Sequence, residues 1–320
     1  MTTPTTIDAA REALASHGGR PRAGGTDVVA LAQIHRAEGP YVELRRLSEL
    51  SGVTPHADGT AMLGATTTIA AVAADPTLRA RFPALSAAAN ALATPQVRAV
   101  ATVGGNLLQR NRCPYFRNPA FSCFQTDGDS CPARAGDHVF ASVIDQGRCV
   151  APHPSSLAVA LLAYGARVHL AGGDTIPVSD LYDGADPTRD HQLDPGQLVT
   201  GVELPAPTPG ETAAHQRATS RSRAEWPMAE VVARIACSDG RVTEAVVAVG
   251  AVARTPLRLT EVERALIGAP TPGAPTPGGP PPEALDRVTE SCTPLPGNAA
   301  KVDVLRATVS DALELALDAS

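Results

Sequence analysis

Apolar positions recur at helical spacing in only a few stretches of this chain. Between residues 6 and 18, Ile7, Ala10, Leu14 and Ala15 fall on one face, with Thr6 available as an N-cap. TTTIAAVAAD (66–75) and ALSAAANALA (84–93) have helical composition and are split by Pro76 and Pro83. In HPSSLAVALLAYGARVHLAGG, Ser155 caps a helix running through Leu162, and a strand and turn follow. TEVERALIG (260–268) and VDVLRATVSDALELALD (302–318) are amphipathic helices. Strand-like runs are YVEL (41–44), GQLVTGVELP (196–205), and the pair VVARIACS and RVTEAVVAVGAVA, a hairpin turning at Asp239-Gly240. RPRAGGTDVVALAQ (20–33) reads as a strand, a glycine turn, then a helical or extended stretch.

Three segments lack such periodicity. Residues 94–153, rich in Gly, Pro, Arg and Cys, predict a long ordered loop, and loops of that length usually carry function. PAPTPGETAAH, near 206–216, predicts a linker. Seven of the thirteen residues from Pro270 to Pro282 are proline. That tract is most simply a disordered or polyproline-like surface insertion; the lesser reading is a ligand for a proline-reading module. No internal repeat is visible. The pattern gives an α+β protein with a boundary near 206–215.

Composition narrows the picture. A chain of 320 residues favours two domains, and 43% hydrophobic residues with only 3% aromatics make Ala, Val and Leu the core fillers. A net charge of -6 argues against nucleic acid as a partner. No run of 18 apolar residues is present, so no transmembrane helix is expected. The polar N-terminal stretch lacks an apolar signal core, which predicts a cytoplasmic protein.

Four of the six cysteines, Cys113, Cys123, Cys131 and Cys149, crowd into residues 113–149. Disulfides are disfavoured in a reducing cytosol, and the close C-x2-4-C pair of most zinc sites is missing. Iron–sulfur clusters take four thiolates and tolerate irregular spacing, so spacing alone leaves metal or cluster binding and coincidence both open. Cys237 and Cys292 are isolated and read as inert buried thiols. Two glycine pairs could bring several N–H groups to an anion: Ala23-Gly24-Gly25-Thr26-Asp27 and Thr102-Val103-Gly104-Gly105-Asn106. Neither fits a G-x-G-x-x-G or Walker A pattern, and a tight turn is the plain reading of each.

Order and context add more. AGGTDVV (23–29), TPQVRAVATVGGNLL (94–108), APHPSSLAVALLAYGARV (151–168), GQLVTGVELP (196–205) and NAAKVDVL (298–305) follow one another as in a known family. The chain resembles the FAD-binding subunit of the molybdenum hydroxylases, the xanthine dehydrogenase and carbon monoxide dehydrogenase family. RNRCPYFRNPAFSCF, SCPARAG and GRCVAPHPS resemble the branch whose flavin subunit also holds a [4Fe-4S] cluster, as in aldehyde oxidoreductases and 4-hydroxybenzoyl-CoA reductase.

The resemblance implies a PCMH-type FAD domain over 1–207, with subdomains of about 1–55 and 56–207 and a cluster loop at 109–150. A smaller C-terminal domain would span 213–320. It implies that Ala23, Gly24, Gly25, Thr26 and Asp27 wrap the FAD pyrophosphate, with Val28 near the flavin ring. Thr102, Gly105 and Asn106 match a second contact segment, and Leu92 and Leu198 (or Val199) match packing contacts. Cys113, Cys123, Cys131 and Cys149 become the cluster ligands. The family's usual HPSD is His153-Pro154-Ser155-Ser156 here, so an acidic contact is replaced by Ser156. Thr219 and Ala300 stand where a basic and an aromatic residue are usual. Of the nearby arginines, Arg98, Arg110, Arg112 and Arg117, one could offset cluster charge, and the rest read as solvated. Trp226 reads as packing, and His153 as structural.

No acid, base or nucleophile is called for, because the cofactor carries the chemistry. The implied role is electron transfer from a molybdenum-cofactor large subunit, through a [2Fe-2S] small subunit, to FAD and an external acceptor. A stand-alone FAD oxidoreductase and a non-catalytic scaffold are the competing readings.

Overall fold

The computed structural model describes residues 1–16, 18–36, 39–271 and 279–319. Residues 272–278, the middle of the proline-rich tract, lie outside the described residues, and so does what the sequence predicts for them.

The chain begins with helix Ile7–Ser16 and a parallel pair, β1 (Arg20–Arg22) and β2 (Tyr41–Glu43). Ala10 and Leu14 of the predicted face pack with Val42, Leu44, Leu47 and Leu50 in a small core of their own.

Next comes a five-stranded antiparallel sheet in the order β3-β4-β7-β5-β6. Its strands are β3 (Val53–Pro55), β4 (Ala61–Gly64), β5 (Arg167–Leu170), β6 (Thr175–Pro177) and β7 (Val199–Leu204). Three helices, Ile69–Ala74, Pro76–Arg81 and Pro83–Ala91, lie together beside it. The two prolines that divide the apolar runs each occupy a first helical turn, where the missing N–H costs nothing. Thr68 and Asp75 cap the first two helices, accepting from Ala71 N at 3.2 Å and Leu78 N at 2.9 Å.

The C-terminal part is an antiparallel sheet in the order β11-β10-β9-β8. Its strands are β8 (Glu211–Ala218), β9 (Ala229–Ser238), β10 (Arg241–Gly250) and β11 (Leu257–Arg258). The helix Ala300–Asp318 covers β8 and β9, while Ser156–Ala163 of the preceding domain packs on β9 and β10. With helices on both faces, β9 is buried at nearly every position, which is why it reads as an almost unbroken apolar run. Asp239 and Gly240 take φ of 51° and 71°, the left-handed pair that a two-residue hairpin needs.

Two expectations need correction. The predicted linker gives way at Glu211 to β8, which pairs with β9 from Glu211↔Ala236 to Ala218↔Ala229. Its residues are Glu, Thr, Ala, His, Gln and Arg, so no alternation announces it, and the ladder to an apolar neighbour makes it a strand. Residues 94–153 are likewise no single loop, but carry four short helices: Pro95–Arg98, Val103–Leu107, Pro114–Arg117 and Pro132–Ala135. Among the described residues, no helix is long and apolar enough to cross a membrane.

Candidate cofactor cavity and cysteine pocket

The first glycine segment turns directly under the second. A Cβ at Gly24 would stand 1.9 Å from the carbonyl oxygen of Val100, so only glycine lets the two backbones meet. Gly25 takes a φ of +73°, and the helix Val28–Ala32 follows. In the second segment Thr102 caps the helix Val103–Leu107, its hydroxyl accepting from Gly105 N at 3.2 Å. Asn106 Oδ1 accepts from Ser155 Oγ at 2.7 Å and from Leu157 N at 3.4 Å, tying that helix to the start of Ser156–Ala163. Ser155 Oγ in turn accepts from Ala158 N at 3.0 Å, the cap foreseen in the sequence.

These segments wall a cavity of about 290 Å³ that opens between the two domains. Thr26, Asp27, Leu92, Gly105, Asn106 and Ser156, all singled out in the sequence, line it. Ala23, Gly24, Gly25 and Thr102 are absent from its walls; Gly24 and Thr102 build the turn and cap behind them. Val28 lines a separate cleft with Arg22 and Tyr41. Leu198 is placed elsewhere altogether, buried in the N-terminal core with Leu14 and Val42.

The remaining walls were not foreseen. Thr94, Val97, Ala101, Gln109, Arg112 and Pro154 line the cavity from the first domain, and Arg217, Ala224, Glu225 and Trp226 from the second. Trp226, half exposed, has the Arg112 guanidinium 4.5 Å from its ring centroid. The arginines expected to be solvated are all engaged. Arg98 donates to the carbonyls of Leu92 and Ala93 at 2.9 and 2.8 Å. Arg112 and Arg117 both pair with Asp27, the latter at 2.8 Å, and Arg110 pairs with Asp190 at 2.7 Å.

The cavity suits an extended anion with an apolar ring. The Nε atoms of Arg112 and Arg217 are buried donors without a partner, and both side chains line it. Asp27, the nearby carboxylate, is already neutralised by two guanidiniums. Leu92, Ala93, Val97, Ala101 and Trp226 supply apolar surface.

The four clustered cysteines line one small pocket, walled by Tyr115, Phe116, Phe124, Ala133 and Ala151. Cys131 and Cys149 are hydrogen-bonded; the bond from Cys149 pulls the Cys131 thiol down to about 5 and pushes Cys149 up. Burial raises the Cys113 thiol, as do the neighbouring Cys131 and Cys123. Among the described residues, no three His, Cys, Asp or Glu side chains gather tightly enough to hold a single metal ion. Cys237 and Cys292 lie apart, packed against the C-terminal core. His153 is buried edge-on against Tyr182 at 4.5 Å between centroids, and its backbone N–H donates to Ala253 O at 2.8 Å.

Fold and cavity together define a two-domain protein with a cavity suited to an extended, anionic cofactor where its domains meet. Residues 1–207 match the FAD binding domain of molybdopterin dehydrogenases, and residues 214–313 match the CO dehydrogenase flavoprotein C-terminal domain. The chain belongs to this family of FAD-binding medium subunits of molybdenum hydroxylases, which are oxidoreductase flavoproteins. It is 33% identical over 275 residues to the aldehyde oxidoreductase FAD-binding subunit PaoB of Escherichia coli K12, covering 82% of this chain and 83% of that one. The carbon monoxide dehydrogenase medium chain of Afipia carboxidovorans is 25% identical over 254 residues, 78% of this chain and 72% of the relative. A crystal structure of Cu,Mo-CO dehydrogenase superposes with a TM-score of 0.76 at 20% identity, covering 100% of this chain and 97% of the other, a likeness of fold.

Proposed function

We propose that this chain is the FAD-binding electron-transfer subunit of a molybdenum-dependent hydroxylase, with FAD in the interdomain cavity and a [4Fe-4S] cluster on Cys113, Cys123, Cys131 and Cys149. It works beside a molybdenum-cofactor large subunit and a [2Fe-2S] small subunit. The observation that carries the reading is the cavity itself, where both domains contribute walls and the guanidiniums of Arg112 and Arg217 each keep a buried, unpartnered Nε donor.

Bound FAD supplies the redox chemistry, accepting electrons from iron–sulfur centres and yielding them to an external acceptor. The chain's residues bind and orient it. Arg112 and Arg217 answer the pyrophosphate charge with charge-assisted donors, and Trp226 and Leu92 give the ring system an apolar surface. Thr26 and Asp27 reach the site because Gly24, behind them, permits the close approach of this segment to Val100. The cluster assignment is supported by the pocket that all four cysteines share, since a four-iron body takes its thiolates from more widely spaced corners than one ion does. Arg254, whose charge faces Cys149, offsets part of the thiolate charge.

The purified chain is expected to carry one FAD, read by its visible absorbance, together with iron and acid-labile sulfide. Cys123→Ser should lose iron while keeping FAD. Protein with neither flavin nor iron would reject the reading, and flavin without iron would remove the cluster alone. Copurification with the large and small subunits tests the partners.

A further inference from the structure

One carboxylate joins the first glycine segment to the cysteine-rich stretch. Asp27 Oδ2 accepts from the backbone N–H of Arg110 at 2.9 Å, and Oδ1 accepts from Arg117 Nη2 at 2.8 Å and from Arg112 Nη1. Its side chain is 13% exposed. Arg117 carries the contact further, its Nε and Nη2 donating to the carbonyls of Asn111 and Arg110 at 2.9 and 3.0 Å. Asn111 Oδ1 in turn accepts from Cys113 N at 3.0 Å.

The segment that Asp27 grips separates two pockets. Gln109 and Arg112 line the cofactor cavity, whereas Asn111, Cys113 and Phe116 line the cysteine pocket. One stretch of backbone is therefore a common wall, and the carboxylate fixes it from the glycine turn. On the cavity side, Asp27 takes Nη1 of Arg112 and Gln109 Oε1 accepts from Nη2 at 2.7 Å, which leaves Nε as the unpartnered donor. On the other side, the guanidiniums of Arg110 and Arg117 lie 4.7 and 5.8 Å from the centroid of the Phe116 ring, itself 2% exposed. A bare carboxylate would repel a pyrophosphate. Asp27 directs its charge instead to two guanidiniums and an N–H of the shared wall.

We propose that Asp27 is a positioning residue for both sites: it sets the wall of residues 109–117 that FAD and the iron–sulfur cluster share, so that each holds the wall in the form the other needs. This departs from the pyrophosphate-wrapping role that the family resemblance implies for Asp27, and it rests on the FAD and cluster reading above. Binding on either side orders the same wall, so by linkage each cofactor strengthens retention of the other.

The experiment uses the full-length chain carrying FAD and iron. Wild-type protein that takes up no FAD, or no iron, would sink that reading and this inference with it, before any variant is made. Given both, Asp27→Asn should weaken FAD binding by about tenfold, the scale of one hydrogen bond to a charged group, and speed the loss of iron to a chelator. Arg117 lines neither pocket, yet Arg117→Gln should also weaken FAD and speed iron loss. The double variant should be no worse than the poorer single one. In the wild type, saturating FAD should slow iron loss by about fivefold, and in Asp27→Asn that protection should vanish. A merely structural role would leave the protection in place. Asp27→Asn that weakens FAD while iron loss and its protection stay as in the wild type would overturn the inference and leave the FAD and cluster reading standing. Additive losses in the double variant would overturn it too. Should Asp27→Asn fail to fold, Arg117→Gln decides, because wild-type FAD affinity or wild-type iron retention there overturns the inference equally.

Discussion

Asp190 concentrates, in one carboxylate, contacts that join the cysteine-rich stretch to the C-terminal domain. Oδ2 accepts from Arg110 Nε at 2.7 Å and from Asn111 N at 3.1 Å; Oδ1 accepts from Gln125 Nε2 at 2.8 Å and from Arg254 Nη1 at 3.0 Å. Its side chain is 4% exposed, and that of Arg254 is 3% exposed. Burial pushes Asp190 up, but Arg110 and Arg254 hold it far below the ordinary range. Asp190→Asn would leave Arg254 buried without its counter-charge and should cost about 3–5 kcal/mol, read by urea denaturation. Acid acts on the same neighbourhood. Burial pulls His153 from 6.5 down to about 3 and His191 down to about 4. Between those values and 6.5 the unfolded chain binds more protons than the folded one, so stability present above pH 6.5 is lost as pH falls through that window. Asp190 adds loss below 3.8, its ordinary value. His153→Phe should flatten the stability curve between about pH 6.5 and 3. An unchanged slope would show that His153 takes no part in the acid response.

Secondary elements were legible wherever the signal was local. The Ser155 cap, the Asp239-Gly240 turn and the C-terminal helix are read from neighbouring residues, and each forms as expected; on the N-terminal helix Ala10 and Leu14 are buried, but Ala15 is exposed and Ala13 is buried in its place. β8 was hidden because its strand character comes from pairing with β9, and β3 and β4 because each is only three or four residues long. The same rule divides the site. Thr26, Asp27, Leu92, Gly105, Asn106 and Ser156 sit in recognisable segments, whereas Arg112, Arg217 and Trp226 reach the cavity only through tertiary folding. Leu198, an apolar residue matched by position, lies in the core of the N-terminal subdomain and not on the cavity wall. The contact between the two glycine segments gives a prediction at this scale. Gly24→Ala places a methyl group against Val100 O and must part the two backbones. The protein should remain folded by circular dichroism, because the loop lies outside the main core, yet lose FAD affinity by tenfold or more, about 1.4 kcal/mol. Wild-type affinity would mean that residues 23–27 stand clear of the cofactor.

Across the whole molecule, the C-terminal helix holds the far end of the cysteine-rich stretch in place through Lys301. This side chain is 1% exposed, and its Nζ donates to the carbonyls of Phe140, Ala141 and Ala251 at 3.0, 2.9 and 2.7 Å. Asn298 adds bonds to Ala141 and Ser142, each 3.2 Å. Burial pushes the lysine down to about 7, and no ion pair with a carboxylate offsets it among the described residues. Three carbonyl acceptors match the three N–H groups that only the ammonium carries, so they hold the charge where burial alone would remove it. Lys301→Met keeps the volume and abandons three carbonyls, of which those of buried Ala141 and Ala251 are each worth about 1 kcal/mol or more when left unpaired. The expected outcome is a loss of about 2 kcal/mol in denaturant unfolding, with faster proteolysis near Phe140, which is already exposed. Because the clamp grips the segment between Cys131 and Cys149, the iron of the proposed cluster should be lost before FAD as temperature rises. Simultaneous loss of iron and flavin would show instead that the two domains and the cysteine-rich stretch open as one unit.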